Sequence, residues 1–164
     1  MNNAVLLSGE ATTRVVTEHL MTLHAPISGR PHPIDASLTI FHSSEGTIEG
    51  PRVKGRILPP TADWLRTMPG GSLKVDARML IETHDGAMIY ATYGGVVRIA
   101  AADFARMAGG DTLRAAEMYF VTAPTFQTAH ESYTWLNHIQ AIAKAVALKG
   151  GDGGYVRYEV FAVK

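Results

Sequence analysis

The sequence predicts one all-β domain, mainly an antiparallel β-barrel, over residues 1–164. Two observations lead to this fold class. Turn-forming residues interrupt the chain at short intervals, and the runs between the turns alternate apolar and polar side chains, as half-buried strands do. Such closely spaced turns favour hairpins over long crossover connections. The turns lie at residues 43–46, 58–60, 68–71, 84–86, 94–95 and 150–154.

The clearest strand begins at Leu73, where apolar and polar residues alternate with a period of two. It runs to Asp85-Gly86, a favoured two-residue hairpin turn, after which a return strand follows. The C-terminal residues alternate in the same way. Strands are predicted at residues 36–41, 73–83, 87–93, 119–123 and 156–163.

Two segments are rich in alanine, the best helix former. Residues 101–108 end at Gly109-Gly110 and predict a short helix. Residues 133–149 could form a long helix, but from Ile139 onward they also alternate as a strand does. Periodicity alone leaves this second segment open.

Composition excludes several classes of protein. Lys plus Arg and Asp plus Glu each total 15, so the chain lacks the basic excess of a nucleic-acid partner. It has no cysteine, which excludes disulfides and thiolate metal sites. No two of its seven histidines have the spacing of a metal motif, and no phosphate or dinucleotide fingerprint is present. We therefore expect no metal and no cofactor.

Location and assembly follow from similar reasoning. No apolar run approaches the length that crosses a membrane, and the N-terminus is too short and uncharged for a secretory signal, so we expect a cytoplasmic protein without a membrane partner. Charged residues make up 18% of the chain, below the usual share of about 25%. A homodimer is the expected assembly.

Four motifs in chain order resemble the small bacterial and fungal family called domain of unknown function 3237. Each motif alone is weak, but the ordered set is specific. Asp76 and Arg78, two apart on one strand, also match. The motifs are GPRVKGRILP at residues 50–59 followed by Ala62-Asp63-Trp64, DGAMIY at 85–90, YFVTAPTF at 119–126 and YTWLN at 133–137.

The resemblance implies a closed or nearly closed antiparallel barrel, calycin-like or allene-oxide-cyclase-like, and makes residues 139–148 a strand. Some members resemble cyclases, lyases or isomerases. Residues 1–34 match little. The chain also departs from the family, because Val121 and Thr125 stand where its motif has arginines. If those arginines hold an anionic group in relatives, this protein is expected to prefer a less charged ligand.

Asp63 and Trp64 are the first candidate site residues, because a carboxylate beside a large apolar ring has a raised pKa and can act as acid or base. Alternatively, Asp63 caps a turn and Trp64 fills a barrel end. Other aromatic residues could line a pocket for a flat ligand, and Tyr119 and Trp135 are the stronger candidates because they lie in matched motifs. The full set is Tyr90, Tyr119, Phe126, Trp135 and Tyr158.

Two pairs of residues share strand faces: Arg52 with Lys54, and Asp76 with Arg78. Pointing inward, they would form a polar cluster able to polarise a carbonyl or enolate oxygen. Pointing outward, they would be ordinary surface pairs. The opposite face of the second strand is the more natural inner face, and it carries Leu73, Val75, Ala77, Met79 and Ile81.

The leading hypothesis is a cofactor-independent enzyme that uses acid–base catalysis on a small oxygenated, partly hydrophobic metabolite, in an isomerase, lyase or cyclase reaction. The alternative is a non-catalytic barrel that carries a lipophilic molecule. A third hypothesis is a fully packed structural domain. The leading hypothesis makes Asp63 the base, Arg52 and Arg78 electrophilic support, Tyr90 or Tyr119 the proton donor, and Trp64, Lys54, Phe126, Trp135 and Asn137 the substrate contacts.

Overall fold

The computed structural model describes residues 14–164, in which alternating side chains form ten strands. The strands are β1 (Thr17–Pro33), β2 (Leu38–Ser43), β3 (Gly46–Glu49), β4 (Gly55–Thr67), β5 (Leu73–Thr83), β6 (Met88–Ile99), β7 (Thr112–Arg114), β8 (Met118–Gln127), β9 (Ala141–Lys149) and β10 (Tyr155–Val163). One α-helix, α1 (Ala101–Ala108), follows β6. Two short 3₁₀ segments cover Ala115–Glu117 and Glu131–His138.

Antiparallel pairing closes these strands into a barrel, as the sequence predicts. The pairs lead from β10 through β1, β2, β4, β5, β6, β8 and β9, and β9 pairs with β10 again. Strands β2 and β3 share the place between β1 and β4, and β7 pairs with β9 beside the ring. Among residues 14–164, no helix is both long and apolar enough to cross a membrane.

The segment that periodicity left open is a strand. Strand β9 lies between β8 and β10, and its inner alanines at positions 141, 143 and 145 are buried. The intrinsic helix preference of alanine is weak, and ladder pairing on both sides outweighs it. The residues before it, Glu131–His138, form a 3₁₀ segment.

Most other predicted elements are confirmed, with longer strands in several places. The helix at 101–108 and the hairpin turn at Asp85-Gly86 are present, and the glycine-rich residues 150–154 connect β9 to β10.

Two predicted turns are wrong. Residues 58–60 lie within β4, where a register break between Leu58 and Ala62 accommodates the prolines, and residues 94–95 lie within β6, where Gly95 allows close approach to β8. Strand β1, however, lies in the N-terminal stretch, where no strand was predicted. Prolines and a register break between Ser28 and His32 obscure its alternation.

Side chains from the inner faces fill one end of the barrel. On β5, Val75, Ala77, Met79 and Ile81 are buried, whereas the residues between them point outward. Ile57, Ile81 and Ile89 belong to the packed end and are almost inaccessible to solvent. The end near α1 is not filled in this way.

Glycine lets neighbouring strands approach closely at two positions. A Cβ atom on Gly95 of β6 would lie 2.4 Å from the carbonyl oxygen of Val121 on β8, and one on Gly55 would lie 2.2 Å from that of Glu82. Neither space accommodates a side chain. These glycines therefore fix how tightly the ring closes at these strand pairs.

Candidate active site

A cavity of about 320 Å³ opens into the barrel at the α1 end. Its walls are mostly apolar and come from the inner faces of the surrounding strands, with Phe104 and Met107 of α1 among the lining residues. Four further phenylalanine and tyrosine residues line the interior, namely Phe41, Tyr93, Phe120 and Tyr158. Small-molecule sites are typically apolar cavities of about 300–1,000 Å³ with a few polar groups.

Asp63 is the acidic residue among those that line this cavity. Alternation along β4 directs it inward, between Thr61 and Leu65, which also line the cavity. Its Oδ1 atom is buried and has no hydrogen-bond partner. Burial raises the pKa of the Asp63 carboxyl from 3.8 to about 6. A hydrogen bond from the Asp76 backbone lowers this pKa and the charge of the Asp76 carboxylate raises it, and both effects are smaller than that of burial.

Two tyrosines accompany Asp63 on the inner surface. Tyr158 is 4% exposed, and its ring packs edge-on against Phe120 at 5.3 Å and Tyr93 at 6.4 Å between centroids. Burial raises the pKa of both hydroxyls, and the charge of Asp63 raises it further. Both hydroxyls are therefore protonated at neutral pH and available as hydrogen-bond donors.

Asp63, Tyr93 and Tyr158 thus form a polar group on an otherwise apolar wall. No hydrogen bond joins either tyrosine hydroxyl to another protein group within residues 14–164. Buried polar groups in proteins are usually paired. A ligand that offers hydrogen-bonding atoms would satisfy all three.

The two arginines predicted to support catalysis lie on the outer face. Arg78 pairs with Asp76 and lies over the Trp64 ring at 5.4 Å. Arg52 forms an ion pair with Glu18 at 2.7 Å and lies over the ring of Trp135 at 4.3 Å. Strict alternation explains this position on β5, since the apolar residues on either side of Arg78 face the core.

The other residues predicted from the sequence also lie away from the cavity. Tyr90 and Tyr119 are 42% and 53% exposed, and Lys54 is exposed as well. Phe126 is buried outside the cavity lining. Trp64 contributes to the outer surface, stacked beneath the arginine of β5.

The YTWLN motif stabilises the barrel end. Asn137 receives a hydrogen bond from the backbone N–H of Thr128 and donates one to its carbonyl, both at 2.9 Å. The Trp135 indole N–H donates to the Ser132 carbonyl. Tyr133 donates to Asp85 in the hairpin turn at 3.0 Å.

Of the ten site residues predicted from the sequence, the structure therefore brings one, Asp63 of β4, to the cavity.

Tyr93 is the functional candidate that sequence reasoning missed, and Tyr158 is one that it considered as a pocket-lining aromatic but did not select. The signal for Tyr93 was present: the Asp85-Gly86 turn sets Ile81 opposite Ile89, and two further steps of two set Ala77 opposite Tyr93. For Tyr158, alternation within the C-terminal strand places it on the same face as the buried Val160.

The two positions that lack the family arginines lie on the outer face of β8. Thr125 is exposed and its hydroxyl hydrogen-bonds to that of Thr92, while Val121 is half-buried on the same face. Arginines there would not enter this cavity. The expected preference for less charged ligands therefore needs a different reason.

Within residues 14–164, no three His, Asp or Glu side chains gather as a metal site.

Comparisons with known proteins support the barrel fold. A UPF0311 protein of Rhodopseudomonas palustris is 30% identical over 91 residues, 56% of this chain and 60% of the relative. The chain thus matches about three fifths of the length of that curated relative. A solved protein of unknown function from the same organism superposes with a TM-score of 0.82 and 25% identity, covering 94% of this chain and 100% of the other.

Two further solved structures have the same fold. A β-barrel-like protein from Acinetobacter baumannii has a TM-score of 0.76 and 28% identity, covering 95% and 100% of the two chains. An enzyme from Penicillium herquei has a TM-score of 0.68 and 21% identity, covering 95% and 99%. The family model for proteins of unknown function named DUF3237 matches residues 15–163. Because that match includes all ten strands, from β1 onward, the chain belongs to the DUF3237 family.

Proposed function

We propose that this protein is a cofactor-independent enzyme that uses acid–base catalysis on a small oxygenated, partly hydrophobic molecule held in the barrel. The observation that supports this most directly is the Asp63 carboxyl, buried in the cavity wall with an unpartnered Oδ1. Its pKa of about 6 lets it both accept and return a proton near neutral pH.

The reaction follows from the three polar groups. The ionised Asp63 carboxylate takes a proton from a carbon next to a carbonyl, and the electron pair moves onto the carbonyl oxygen. The hydroxyls of Tyr93 and Tyr158 donate hydrogen bonds to that oxygen as it gains charge. The protonated Asp63 then returns the proton to another carbon, giving an isomerisation, or to a leaving oxygen, giving an elimination.

The likeness to an enzyme from Penicillium herquei is compatible with this proposal, although at 21% identity it supports the fold alone. The proposal assigns no catalytic role to the arginines or tyrosines of the outer face. Asp63 remains the base, and Tyr93 and Tyr158 take the roles predicted from the sequence for the arginines and tyrosines of the outer face.

Deuterium exchange tests the proposal without a known substrate. The protein is incubated in D₂O with a panel of small cyclic ketones and enones, and NMR follows exchange at the carbon next to each carbonyl. We expect exchange that rises as pH increases through about 6 and that is lost in Asp63→Asn. The control is Glu49→Gln, which neutralises an exposed carboxylate on β3 in the same way.

Exchange that persists unchanged in Asp63→Asn would contradict the proposal. Binding of the ketones without any exchange would favour the second candidate, a barrel that carries a lipophilic molecule. The mostly apolar cavity walls support that candidate. A fully packed structural domain is not favoured, because the cavity occupies about 320 Å³.

A further inference from the structure

We propose that the cavity selects uncharged ring compounds that carry a carbonyl oxygen, and that it rejects carboxylates of the same shape. This inference rests on the proposed function, since it names the substrate class of the same site. It follows from which charged side chains reach the cavity, from which hydrogen-bonding groups are free there and from the shape of the walls.

Two basic residues line the cavity, and neither is buried. They are His42, exposed on β2, and Lys149, half-buried at the end of β9. Lys149 follows the inward-facing Leu148 on β9, and its ammonium lies beside Gly153 in the loop after the strand, 3.7 Å from where a Cβ of that glycine would be. Neither basic residue lowers the pKa of Asp63, so a carboxylate bound beside Asp63 would face its negative charge without a cation in close contact.

Such an arrangement carries a large electrostatic penalty. Two carboxylates in one apolar site cannot both ionise without cost, because burial weakens solvation and their charges repel. Val121 and Thr125, which stand where the family motif has arginines, lie on the outer face of β8, so these two positions do not affect the charge inside the cavity. The preference for uncharged ligands thus arises from the inner surface alone.

The free hydrogen-bonding groups favour an oxygen acceptor over a cationic ligand. The hydroxyls of Tyr93 and Tyr158 stay protonated, and each can donate to a carbonyl or ether oxygen. An ammonium group would pair with Asp63 but would leave both donors unsatisfied. A carbonyl compound with an acidic C–H or a hydroxyl satisfies the two tyrosines and the aspartate together.

The walls favour a flat ring. Phe41 pairs in register with Asp63 across β2 and β4, and Phe120 packs against Tyr158 on the opposite side of the barrel. Phe104 of α1 is half exposed and also lines the cavity. Aromatic side chains stack on planar ligands and bury apolar area.

Three probes that share one ring system test the charge preference. They are 2-acetylnaphthalene, 2-naphthoate and 2-naphthylmethylammonium, which are neutral, anionic and cationic at neutral pH. Isothermal titration calorimetry on the full chain measures each dissociation constant. We expect the ketone to bind about ten-fold more tightly than either charged probe, a difference of about 1.4 kcal/mol.

Variants show whether the aspartate causes the rejection of the anion. In Asp63→Asn, 2-naphthoate should bind several-fold more tightly than to the wild type, because the repulsion is gone. In Glu49→Gln, at an exposed carboxylate of β3, its affinity should not change. An affinity of the wild type for 2-naphthoate equal to that for the ketone would overturn the inference, and so would tighter binding of the ammonium probe or binding of no probe at all.

The same ketone separates this inference from the proposed function. If its methyl protons exchange in D₂O in an Asp63-dependent way while a charged probe binds better, the substrate class is wrong and the catalytic proposal stands. If the ketone binds preferentially but does not exchange, the class stands for a carrier and the catalytic proposal fails.

Discussion

Asp63 and Tyr93 lie in one row across the inner face of the barrel, separated only by Ala77. Asp63 pairs in register with Ala77 across β4 and β5, and Ala77 pairs with Tyr93 across β5 and β6. Neighbouring strands are about 4.8 Å apart. The alanine between them carries only a methyl group, so the carboxyl and the phenol approach each other over it, in agreement with the effect of the Asp63 charge on the pKa of Tyr93.

The first prediction concerns stability and pH. The pKa of Asp63 is about 6 in the folded chain and 3.8 ordinarily, so the folded chain binds the proton more tightly than the unfolded chain. The stability contributed by the protonated carboxyl is therefore present at low pH, decreases as pH rises from about 4 to about 6, and is absent above that range.

Asp63→Asn removes this penalty. We expect the variant to be more stable than the wild type near pH 8, by up to about 3 kcal/mol, and to differ little near pH 4. Urea denaturation at both pH values measures the two free energies of unfolding. Glu49→Gln, at an exposed carboxylate of β3, should leave the pH dependence of the wild type intact. A variant that is less stable than the wild type near pH 8 would contradict the unpaired burial of this carboxyl.

The second prediction separates the inner tyrosine from the outer one. Tyr93→Phe removes a hydroxyl that faces the cavity, whereas Tyr90→Phe removes one from the outer face, three positions earlier on β6. We expect Tyr93→Phe to lower the exchange rate by about ten-fold or more, since loss of one stabilising donor costs 10²–10³-fold in well-characterised enzymes. Exchange assays on both variants measure the effect, and an equal loss in Tyr90→Phe would argue against the cavity as the site.

A third prediction tests the close approach of β6 and β8. Gly95→Ala places a methyl group 2.4 Å from the Val121 carbonyl oxygen, while the same atom at Gly94 meets only the Val75 oxygen at 3.5 Å. We expect Gly95→Ala to lower the free energy of unfolding by roughly 2 kcal/mol or more, and Gly94→Ala to change it by less than about 1 kcal/mol. Thermal and urea denaturation of the pair check this, and similar costs at both positions would show that strand spacing does not depend on Gly95.

The fourth prediction assigns Asn137 a structural role. Its amide makes two hydrogen bonds to the backbone of Thr128, so Asn137→Ala should cost about 1–3 kcal/mol of stability through unpaired polar groups. Affinity for 2-acetylnaphthalene, measured well below the melting temperature, should remain that of the wild type. A selective loss of affinity with unchanged stability would instead restore the ligand contact suggested by the sequence.

Much of the barrel could be predicted from local patterns. Alternation around Leu73–Thr83, the Asp85-Gly86 turn and the C-terminal strand each depend on neighbouring residues alone, so they are visible in the sequence. Asp63 was identified as a candidate from its residue type and from the neighbouring Trp64. The strand nature of β9 needed the family resemblance, because alanine favours helix weakly and only pairing on both sides overrides it.

The sequence by itself determined which residues alternate, where most of the turns lie and that one carboxyl is exceptional. Only the tertiary structure decided which face of each strand is inside, because both faces of β5 are regular and a shift of one residue would exchange them. Ring closure placed Arg78 and Tyr90 in solvent and brought Asp63, Tyr93 and Tyr158 to one cavity from β4, β6 and β10. Their separation along the chain, up to 95 positions, hides a relationship that exists only once the strands pair.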